Sequence, residues 1–502
     1  MALLPRPDTR RLGVVDIGSN TVRMVVYDAP DGMPIPMFNE KAQCELGRHL
    51  AETGRLNPEG VKMAQITLAR FVGLAEAMGL AELDFVATAA VRDADDGHDF
   101  VHAVEHELGI TVNVVSGEEE ARLAAQGVLH GLPHADGLLG DLGGGSLDLV
   151  VLNNGEYGEQ ASLPSGHLRL SEMAGGNLKL ALKEMDRELA TLPWIADAKG
   201  RTFFAVGGSW RNIGRVLIES TDYPLHVIDN FVVPRKQAVA TLRAMVAMDP
   251  VQLETLSGAS RRRSATLPFA AVAMLRVLEK ARPRSVQFSG FGMREGQMLK
   301  SLDGDRRRSD PLISGCTALW QRTGRFSMRG EEMLDWSRPL FPEETRAERR
   351  LRLAACLLSD LGWVEHPDYR ARHAFHRILR IPFAGMTHSD RVFLAIALIV
   401  RYDGTTSDEL VTPVLPLVNP FQVERATGIG LALRLAHTIS GSAPGILART
   451  SLAREAGRLV LNLPDDRIFV GEAIERRFRD LARHLGLEAA VVTGEADGGA
   501  AA

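Results

Sequence analysis

The sequence predicts an α/β protein with two α/β domains followed by a largely helical C-terminal domain. Residues 14–21 and 139–146 indicate this most directly, because each is an apolar run, an Asp and a glycine-containing turn that ends in a hydroxyl residue. A second apolar run follows each turn, which is typical of a strand, a tight turn and a strand. Strands alternate with helices after both hairpins, and helical patterns dominate after about residue 310. We expect domains at 1–132, 133–310 and 311–493, and a disordered tail at 494–502.

Composition describes an ordinary globular chain. Its 502 residues are too many for one core, and a hydrophobic content of 45% with a charged content of 24% fits an ordinary soluble globular protein. The net charge of −5 provides no overall basic field, so a polyanion site must be a local basic groove. The three scattered cysteines, Cys44, Cys316 and Cys356, have no metal-ligand spacing. With no signal-peptide or membrane-length apolar run, we expect a cytoplasmic protein.

The first domain begins with a hairpin of β-branched strands over residues 13–27. Further elements alternate, with helices predicted at 58–79 and 97–109 and strands at 84–90 and 111–115. Ser116 is a good N-cap for a helix that runs to about His130. Glu118, Glu119 and Glu120 follow it, and acidic residues suit the positive end of a helix.

The second domain repeats the arrangement. A hairpin begins near Gly137, residues 166–192 are mostly helical, and strands at 203–206 and 285–289 each end in a glycine turn. The repetition indicates two related halves, one starting at Asp16 and one at Asp141. In the C-terminal domain, helices are predicted at 312–324, 344–362, 369–379, 388–402 and 421–437, and short strands at 458–463 and 489–493.

The two hairpin turns are suited to binding phosphate. Turns without large side chains expose backbone N–H groups and hydroxyls, and an Asp at the end of the entering strand can hold Mg²⁺. A turn-capping role is the alternative for Asp16 and Asp141. Gly207, Gly208 and Ser209 precede a helix whose N-terminus is a further candidate anion site. The hairpin candidates for phosphate binding are Ser19, Asn20, Thr21, Gly143, Gly144, Gly145 and Ser146.

The paired hairpins resemble those of the actin, hexokinase and heat-shock chaperone ATPase superfamily. Within it, four more segments resemble the exopolyphosphatase and guanosine pentaphosphate phosphatase (Ppx/GppA) family: ATAAVRDA at 87–94, SGEEEAR at 116–122, AVGGS at 205–209 and SGFGMREG at 289–296. Together with the hairpins they form six motifs in order. The resemblance implies two actin-like (ribonuclease H-like) α/β domains and Mg²⁺-dependent hydrolysis of a phosphoanhydride.

The resemblance also implies roles for individual residues. Glu120 would direct the attacking water, with Glu119 as the alternative if the register slips, and Arg92 would face the transferred phosphate.

Asp141 would hold Mg²⁺ together with Asp16 or Asp148. Asp148 lies two residues beyond Ser146, on the same strand face, and a solvated strand residue is its alternative. For Arg294, a structural ion pair and a ligand contact are both open.

The C-terminal domain resembles a degenerate HD-type phosphohydrolase domain. Ser359 stands where the His of the His-Asp pair would be, before Asp360, so we expect this domain to be non-catalytic. It would extend the binding track or form a dimer contact. The arginine clusters at 261–263 and 306–308 are either solvated loops or part of a track for a long polyanion.

We predict an exopolyphosphatase that releases orthophosphate from the end of inorganic polyphosphate. The alternative enzyme is a guanosine pentaphosphate (pppGpp) phosphohydrolase. A non-catalytic sensor of polyphosphate or guanosine tetraphosphate belongs to another class, and retention of Glu120 argues against it. A sugar kinase or chaperone-like ATPase is disfavoured by the segments at 116–122 and 289–296. We expect a homodimer that binds no nucleic acid.

Overall fold

The computed structural model describes residues 11–28, 34–256, 265–302, 309–323, 325–326, 328–465, 467–469 and 471–494. They form two compact units that divide between Pro311 and Leu312. The two arginine clusters and, apart from Gly494, the predicted disordered tail lie outside the described residues. No helix in this part of the chain is long and apolar enough to cross a membrane.

The first sheet of unit 1 has five strands in the order β3-β2-β1-β4-β5. The strands are β1 (Arg11–Ile17), β2 (Thr21–Asp28), β3 (Ile35–Gln43), β4 (Glu82–Ala87) and β5 (Val112–Val114). Its helices are α1 (Leu50–Thr53), α2 (Pro58–Met78), α3 (Ala89–Asp93) and α4 (Gly97–Leu108). Helix α2 begins with a proline in its first turn and is capped after Met78 by Gly79, whose φ of 63° suits glycine.

The second sheet has six strands in the order β10-β11-β9-β6-β7-β8. The strands are β6 (Gly137–Leu142), β7 (Leu147–Asn153), β8 (Glu156–Leu163), β9 (Thr202–Val206), β10 (Phe231–Pro234) and β11 (Ser285–Phe288). The helices are α5 (Gly117–Gly131), α6 (His167–Met173), α7 (Leu178–Ala190), α8 (Gly208–Ser220), α9 (Arg235–Ala247), α10 (Pro250–Thr255), α11 (Leu267–Ala281) and α12 (Met293–Lys300).

The two sheets share one strand pattern. Strand β1 pairs antiparallel with β2 and parallel with β4, and β6 pairs antiparallel with β7 and parallel with β9. Asp16 and Asp141 therefore occupy equivalent positions at the ends of the entering strands. This confirms the prediction of mixed α/β halves, while the division of the chain into three domains stays a prediction.

Helix α5 follows a strand of the first sheet but packs on the second, and helix α12 follows a strand of the second sheet but packs on the first. Alanines of α5 pack on strands of the second sheet, whereas Met298 and Leu299 of α12 pack on β1 and β2 of the first. The two helices also approach each other closely. A Cβ at Gly127 would lie 2.1 Å from the Gly292 carbonyl oxygen, and one at Gly296 would lie 2.0 Å from that of Leu123. Only glycine permits this approach of the two backbones.

Unit 2 is largely helical, as predicted. Its helices are α13 (Pro311–Thr323, which spans the division), α14 (Gly330–Trp336), α15 (Arg346–Leu358), α16 (Arg370–Arg380), α17 (His388–Arg401), α18 (Pro420–Ser440) and α19 (Glu472–His484). A sheet in the order β12-β13-β14 adds the strands β12 (Ser451–Glu455), β13 (Arg458–Pro464) and β14 (Glu488–Gly494). Strand β12 was not predicted.

Ser359 and Asp360 lie in a buried polar cluster of unit 2. The Ser359 hydroxyl is 2.8 Å from Nε2 of His437. Oδ1 of Asp360 accepts a hydrogen bond from Nη2 of Arg325 at 3.1 Å. Both side chains are therefore engaged within the protein. The resemblance of this unit to an HD-type domain stays a prediction.

Candidate active site

Both glycine hairpins line one cleft in unit 1, with a cavity volume of about 150 Å³. Thirteen of the predicted site residues line it: Asp16, Ser19, Asn20, Thr21, Glu120, Asp141, Gly143, Gly144, Gly145, Ser146, Gly207, Gly208 and Ser209. Two others, Arg92 and Asp148, are in contact with residues of this set rather than in the lining. The structure therefore brings together groups that are far apart in the sequence.

The two hairpin turns are closed in the same way. The Gly18 N–H donates to the Thr21 carbonyl at 3.1 Å, and the Gly143 N–H donates to the Ser146 carbonyl at 3.0 Å. The turns also face each other, because a Cβ at Gly145 would lie 2.9 Å from Oγ of Ser19. Glycine at this position lets the second turn approach the first. The result is a two-sided cradle of backbone N–H groups and hydroxyls.

Three carboxyl groups lie at the cradle: Asp148 and Glu120 are buried, and Asp141 is half-buried. Burial raises the pKa of Asp141 to about 6, against the opposing effect of Arg211 and Arg294. Burial raises the pKa of Asp148 to about 7, a hydrogen bond from Ser162 opposes this, and the charge of Asp141 adds to it. Because these carboxyl groups repel one another at low dielectric, a bound cation would favour their ionised forms.

The Asp141 carboxylate is the best placed of these groups to bind a metal. No described residue donates a hydrogen bond to it. A Cβ at Gly207, where φ is 100°, would lie 2.9 Å from its Oδ1, so glycine keeps the space beside this oxygen open. No group of three His, Cys, Asp or Glu side chains among the described residues makes a complete metal cage. A free carboxylate in an open site suits Mg²⁺, which binds one or two carboxylates and takes its other ligands from water and phosphate.

Asp16 and Asp148 have protein partners. Oδ2 of Asp16 accepts a hydrogen bond from Nη1 of Arg294 at 2.8 Å, so Arg294 forms an ion pair and also lines the cleft. Asp148 lies opposite Asp141 in the strand register, and its Oδ2 accepts a hydrogen bond from Oγ of Ser146 at 3.2 Å. With 1% of its surface exposed, Asp148 is not a solvated strand residue. Its role in metal or water positioning stays a prediction.

Of the three glutamates in the first turn of helix α5, Glu120 is the one that lines the cleft. Ser116 caps helix α5 as predicted, with its Oγ accepting the Glu119 N–H at 3.1 Å. Glu119 pairs with Nζ of Lys300 at 2.6 Å and its side chain is 40% exposed, whereas the Glu120 side chain is 11% exposed. Burial and the nearby charge of Asp148 raise the pKa of Glu120 well above its usual range. This placement favours Glu120 over Glu119.

The Arg92 guanidinium holds Glu120. Its Nη1 donates to Oε2 of Glu120 at 3.1 Å and to the Val115 carbonyl at 3.1 Å. Its Nε donates to Oδ1 of Asp93 at 3.2 Å. The predicted contact between Arg92 and the transferred phosphate stays a prediction.

The lining includes cations that the sequence analysis did not single out. They are Arg23, Lys41 and Arg211. Arg23 lies directly opposite Asp16 in the strand register, and Lys41 lies opposite Arg23. Burial, with the neighbouring charges of Arg294 and Arg211, lowers the pKa of Arg23 to about 10. Together with Arg294, these cations outnumber the carboxyl groups of Asp16, Glu120 and Asp141 in the same lining by one, so the cleft carries local positive charge in a chain of negative net charge.

Comparison with known families matches both parts of the chain. The profile of the Ppx/GppA phosphatase family matches residues 25–304, and the profile described as exopolyphosphatase, C-terminal, matches residues 317–492. Exopolyphosphatase 1 of Mycobacterium tuberculosis is 30% identical over 309 residues, which are 59% of this chain and 89% of the relative. Exopolyphosphatase 1 of Mycobacterium leprae is 29% identical over 337 residues, which are 64% of this chain and 96% of the relative.

Solved structures share the fold. An exopolyphosphatase from Cytophaga hutchinsonii has a TM-score of 0.53 and 21% identity, covering 58% of this chain and 99% of that one. The Aquifex aeolicus member of the Ppx/GppA protein family has a TM-score of 0.50 and 23% identity, covering 58% of this chain and 96% of that one. These likenesses confirm the predicted actin-like α/β fold.

Proposed function

This chain belongs to the Ppx/GppA phosphatase family, and we propose that it is an exopolyphosphatase that releases orthophosphate from the end of inorganic polyphosphate. The observation that carries the proposal is the placement of Glu120, a buried carboxyl group that opens onto the cradle formed by both glycine hairpins. Relatives named exopolyphosphatase support the same substrate.

The cradle supplies the binding of the terminal phosphates. Backbone N–H groups of the two turns and of the start of helix α8 bind phosphoryl oxygens without moving during the reaction. Arg23, Lys41 and Arg211 add positive charge along the same cleft. Because polyphosphate carries a negative charge on each unit, this groove favours a chain of phosphates over a neutral substrate.

Glu120 supplies the means to use water as the nucleophile. Hydrolysis needs a water held in line with the terminal phosphorus and a carboxylate that orients it or takes its proton. Glu120 lines the cleft beside both turns, where its carboxylate can orient such a water or take its proton. Arg92 fixes the side chain in place, because its guanidinium bonds both Glu120 and the protein backbone.

Members of this family are generally metal-dependent, and we infer that Mg²⁺ is the metal here. Asp141 would hold it, with Asp16 or Asp148 as the second carboxylate. When bound, Mg²⁺ would neutralise charge on the terminal phosphate units. Asp141 keeps an oxygen available for this because Gly207, which has no side chain, lies beside its Oδ1.

A substrate panel tests the proposal. Purified protein with Mg²⁺ is given long-chain polyphosphate, pppGpp or ATP in separate reactions, and orthophosphate release is followed over time. We expect the highest kcat/KM with polyphosphate. Faster release from pppGpp would establish the alternative phosphohydrolase instead. Tight polyphosphate binding without release from any substrate would indicate a sensor. The homodimer stays a prediction.

A further inference from the structure

We propose that Arg169 and Asp93 are positioning residues for this reaction, because their ion pair fixes Arg92, and through it Glu120, relative to the second glycine hairpin. This inference rests on the proposed function. The two residues lie outside the lining of the cleft and act on the reaction only through Arg92 and Glu120.

The contacts form an unbroken chain of charged side chains. Nη1 of Arg169 donates to Oδ2 of Asp93 at 2.7 Å. Oδ1 of Asp93 accepts from Nε of Arg92 at 3.2 Å, and Nη1 of Arg92 donates to Oε2 of Glu120 at 3.1 Å. Each carboxylate oxygen of Asp93 thus binds a different arginine. The side chains of Arg169, Asp93 and Arg92 are 28%, 31% and 22% exposed. Solvent therefore screens these ion pairs less than it screens a fully exposed ion pair.

Arg169 belongs to an element that is bonded to the second hairpin. At the start of helix α6, the backbone N–H groups of His167 and Leu168 donate to the carbonyls of Gly143 and Gly144 at 3.2 and 3.0 Å. The Arg169 N–H also donates to the Gly144 carbonyl, at 3.2 Å. A Cβ at Gly166 would lie 2.4 Å from the Gly144 carbonyl carbon, so the helix start and the turn are packed backbone to backbone. A displacement of this hairpin therefore carries Arg169 with it.

Asp93 and Arg92 belong to the first half of the unit. Both lie in helix α3, which directly follows strand β4 of the first sheet. The Arg169–Asp93 pair therefore connects the phosphate-binding turn of the second sheet to the arginine that holds Glu120. Without Arg169, Asp93 loses its contact to the second hairpin, and without Asp93, Nε of Arg92 loses its partner. In either case Arg92, and with it Glu120, is no longer fixed relative to that hairpin.

The predicted signature is a loss of kcat at nearly constant KM. Groups that bind polyphosphate are unchanged in these variants, whereas small misplacements of a group that directs water reduce the rate of the chemical step. We expect Arg169→Gln and Asp93→Asn each to lower kcat about tenfold with KM changed less than about twofold. Because the two residues act as one unit, the double variant should lose no more than either single variant.

Two further variants separate positioning from general structure. Arg169→Lys should restore most of the kcat, since the contact to Asp93 uses a single guanidinium nitrogen. Glu172→Gln is the matched control on the same helix. Oε1 of Glu172 accepts the His49 N–H at 2.9 Å, a contact between the same two halves that does not involve Arg92. Its kcat should stay within about twofold of the natural protein. Thermal unfolding of every variant checks that it is folded.

The experiment measures orthophosphate release from polyphosphate with Mg²⁺ for the natural chain and these variants. An active natural chain with unchanged kcat in folded Arg169→Gln and Asp93→Asn variants would overturn the inference and leave the proposed function standing. An equal loss in Glu172→Gln, or a change in KM alone, would also overturn it. A natural chain that releases no orthophosphate would overturn the proposed function and this inference with it.

Discussion

At the scale of single residues, the site is defined by carboxyl groups that are buried or half-buried in the free protein. Asp141 and Asp148 lie opposite each other on adjacent strands, and burial raises the pKa of both. A buried carboxylate that accepts few hydrogen bonds destabilises the folded chain, but it binds a cation strongly because the cation relieves that cost. The free protein therefore gives up stability at the position where it needs a reactive site.

The Asp148 carboxyl makes stability depend on pH with a definite sign. Its pKa is about 3.8 in the unfolded chain and about 7 in the folded one, so the native state binds the proton more tightly between these values. Stability from this group is full below about pH 4 and is lost as the pH rises through about 7. We expect Asp148→Asn to stabilise the metal-free protein by about 1–3 kcal/mol at pH 8, and by much less at pH 4.5.

Urea unfolding at the two pH values measures this difference. The Asp136→Asn variant is the control, because the pKa of this exposed residue is lowered by Arg201 rather than raised by burial. It should give no gain at pH 8. An Asp148→Asn variant less stable than the natural chain at pH 8 would show that this carboxylate is stabilised in the fold.

Several site residues were predictable from the sequence because their signals are local. The turns at 18–21 and 143–146 and the capped helix start before Glu120 are patterns of a few residues. Arg23 could also have been predicted from the sequence. It lies two residues beyond Thr21, the same spacing that placed Asp148 on the strand face of Ser146. Arg169 had no such signal, because its partner Asp93 is 76 positions away and only the folded chain brings them together.

At the scale of elements, the packing of α5 on α12 joins the two halves of unit 1. The sequence predicted a helix at 116–130, but not that it packs on the second sheet, since apolar periodicity shows which face is buried and not which sheet buries it. Residues 166–192, predicted to be mostly helical, form the two helices α6 and α7, which are separated by Gly175 and Gly176 with positive φ values of 54° and 76°.

The glycines of the α5–α12 contact should tolerate no side chain. We expect Gly296→Ala to destabilise the fold by about 2–4 kcal/mol, because its Cβ would lie 2.0 Å from the Leu123 carbonyl oxygen and would force the helices apart. Gly73→Ala in α2 is the matched control. Nothing lies within 4 Å of a Cβ at that position, so a gain of up to about 1 kcal/mol is expected from helix propensity. Denaturant unfolding compares the two, and equal effects would contradict the described packing.

At the scale of the whole molecule, the residues of the candidate site all lie in the first unit. The Ppx/GppA phosphatase profile covers the same part of the chain, and a separate profile covers the second unit. Mycobacterial relatives align with 59% and 64% of this chain while being covered over 89% and 96% of their own length. The chemistry is therefore expected to belong to unit 1.

A chain ending at Pro311 tests whether unit 1 carries out the chemistry without unit 2. We expect it to hydrolyse short polyphosphates with a kcat within about fivefold of the full chain, because every proposed catalytic and phosphate-binding group is retained. Circular dichroism and thermal unfolding would first establish that the shortened chain is folded. A folded shortened chain without activity would show that the second unit takes part in the chemistry.

The central claim is that Glu120 directs the water that attacks the terminal phosphate, and a comparison of Glu120→Gln with Glu119→Gln tests it most directly. The two variants make the same chemical change at neighbouring positions of one helix start. Release of orthophosphate from polyphosphate with Mg²⁺ should fall by about 10²–10⁴-fold in kcat for Glu120→Gln. It should stay within about twofold for Glu119→Gln, whose side chain pairs with Lys300. Turnover by a folded Glu120→Gln variant at the rate of the natural protein would contradict the account.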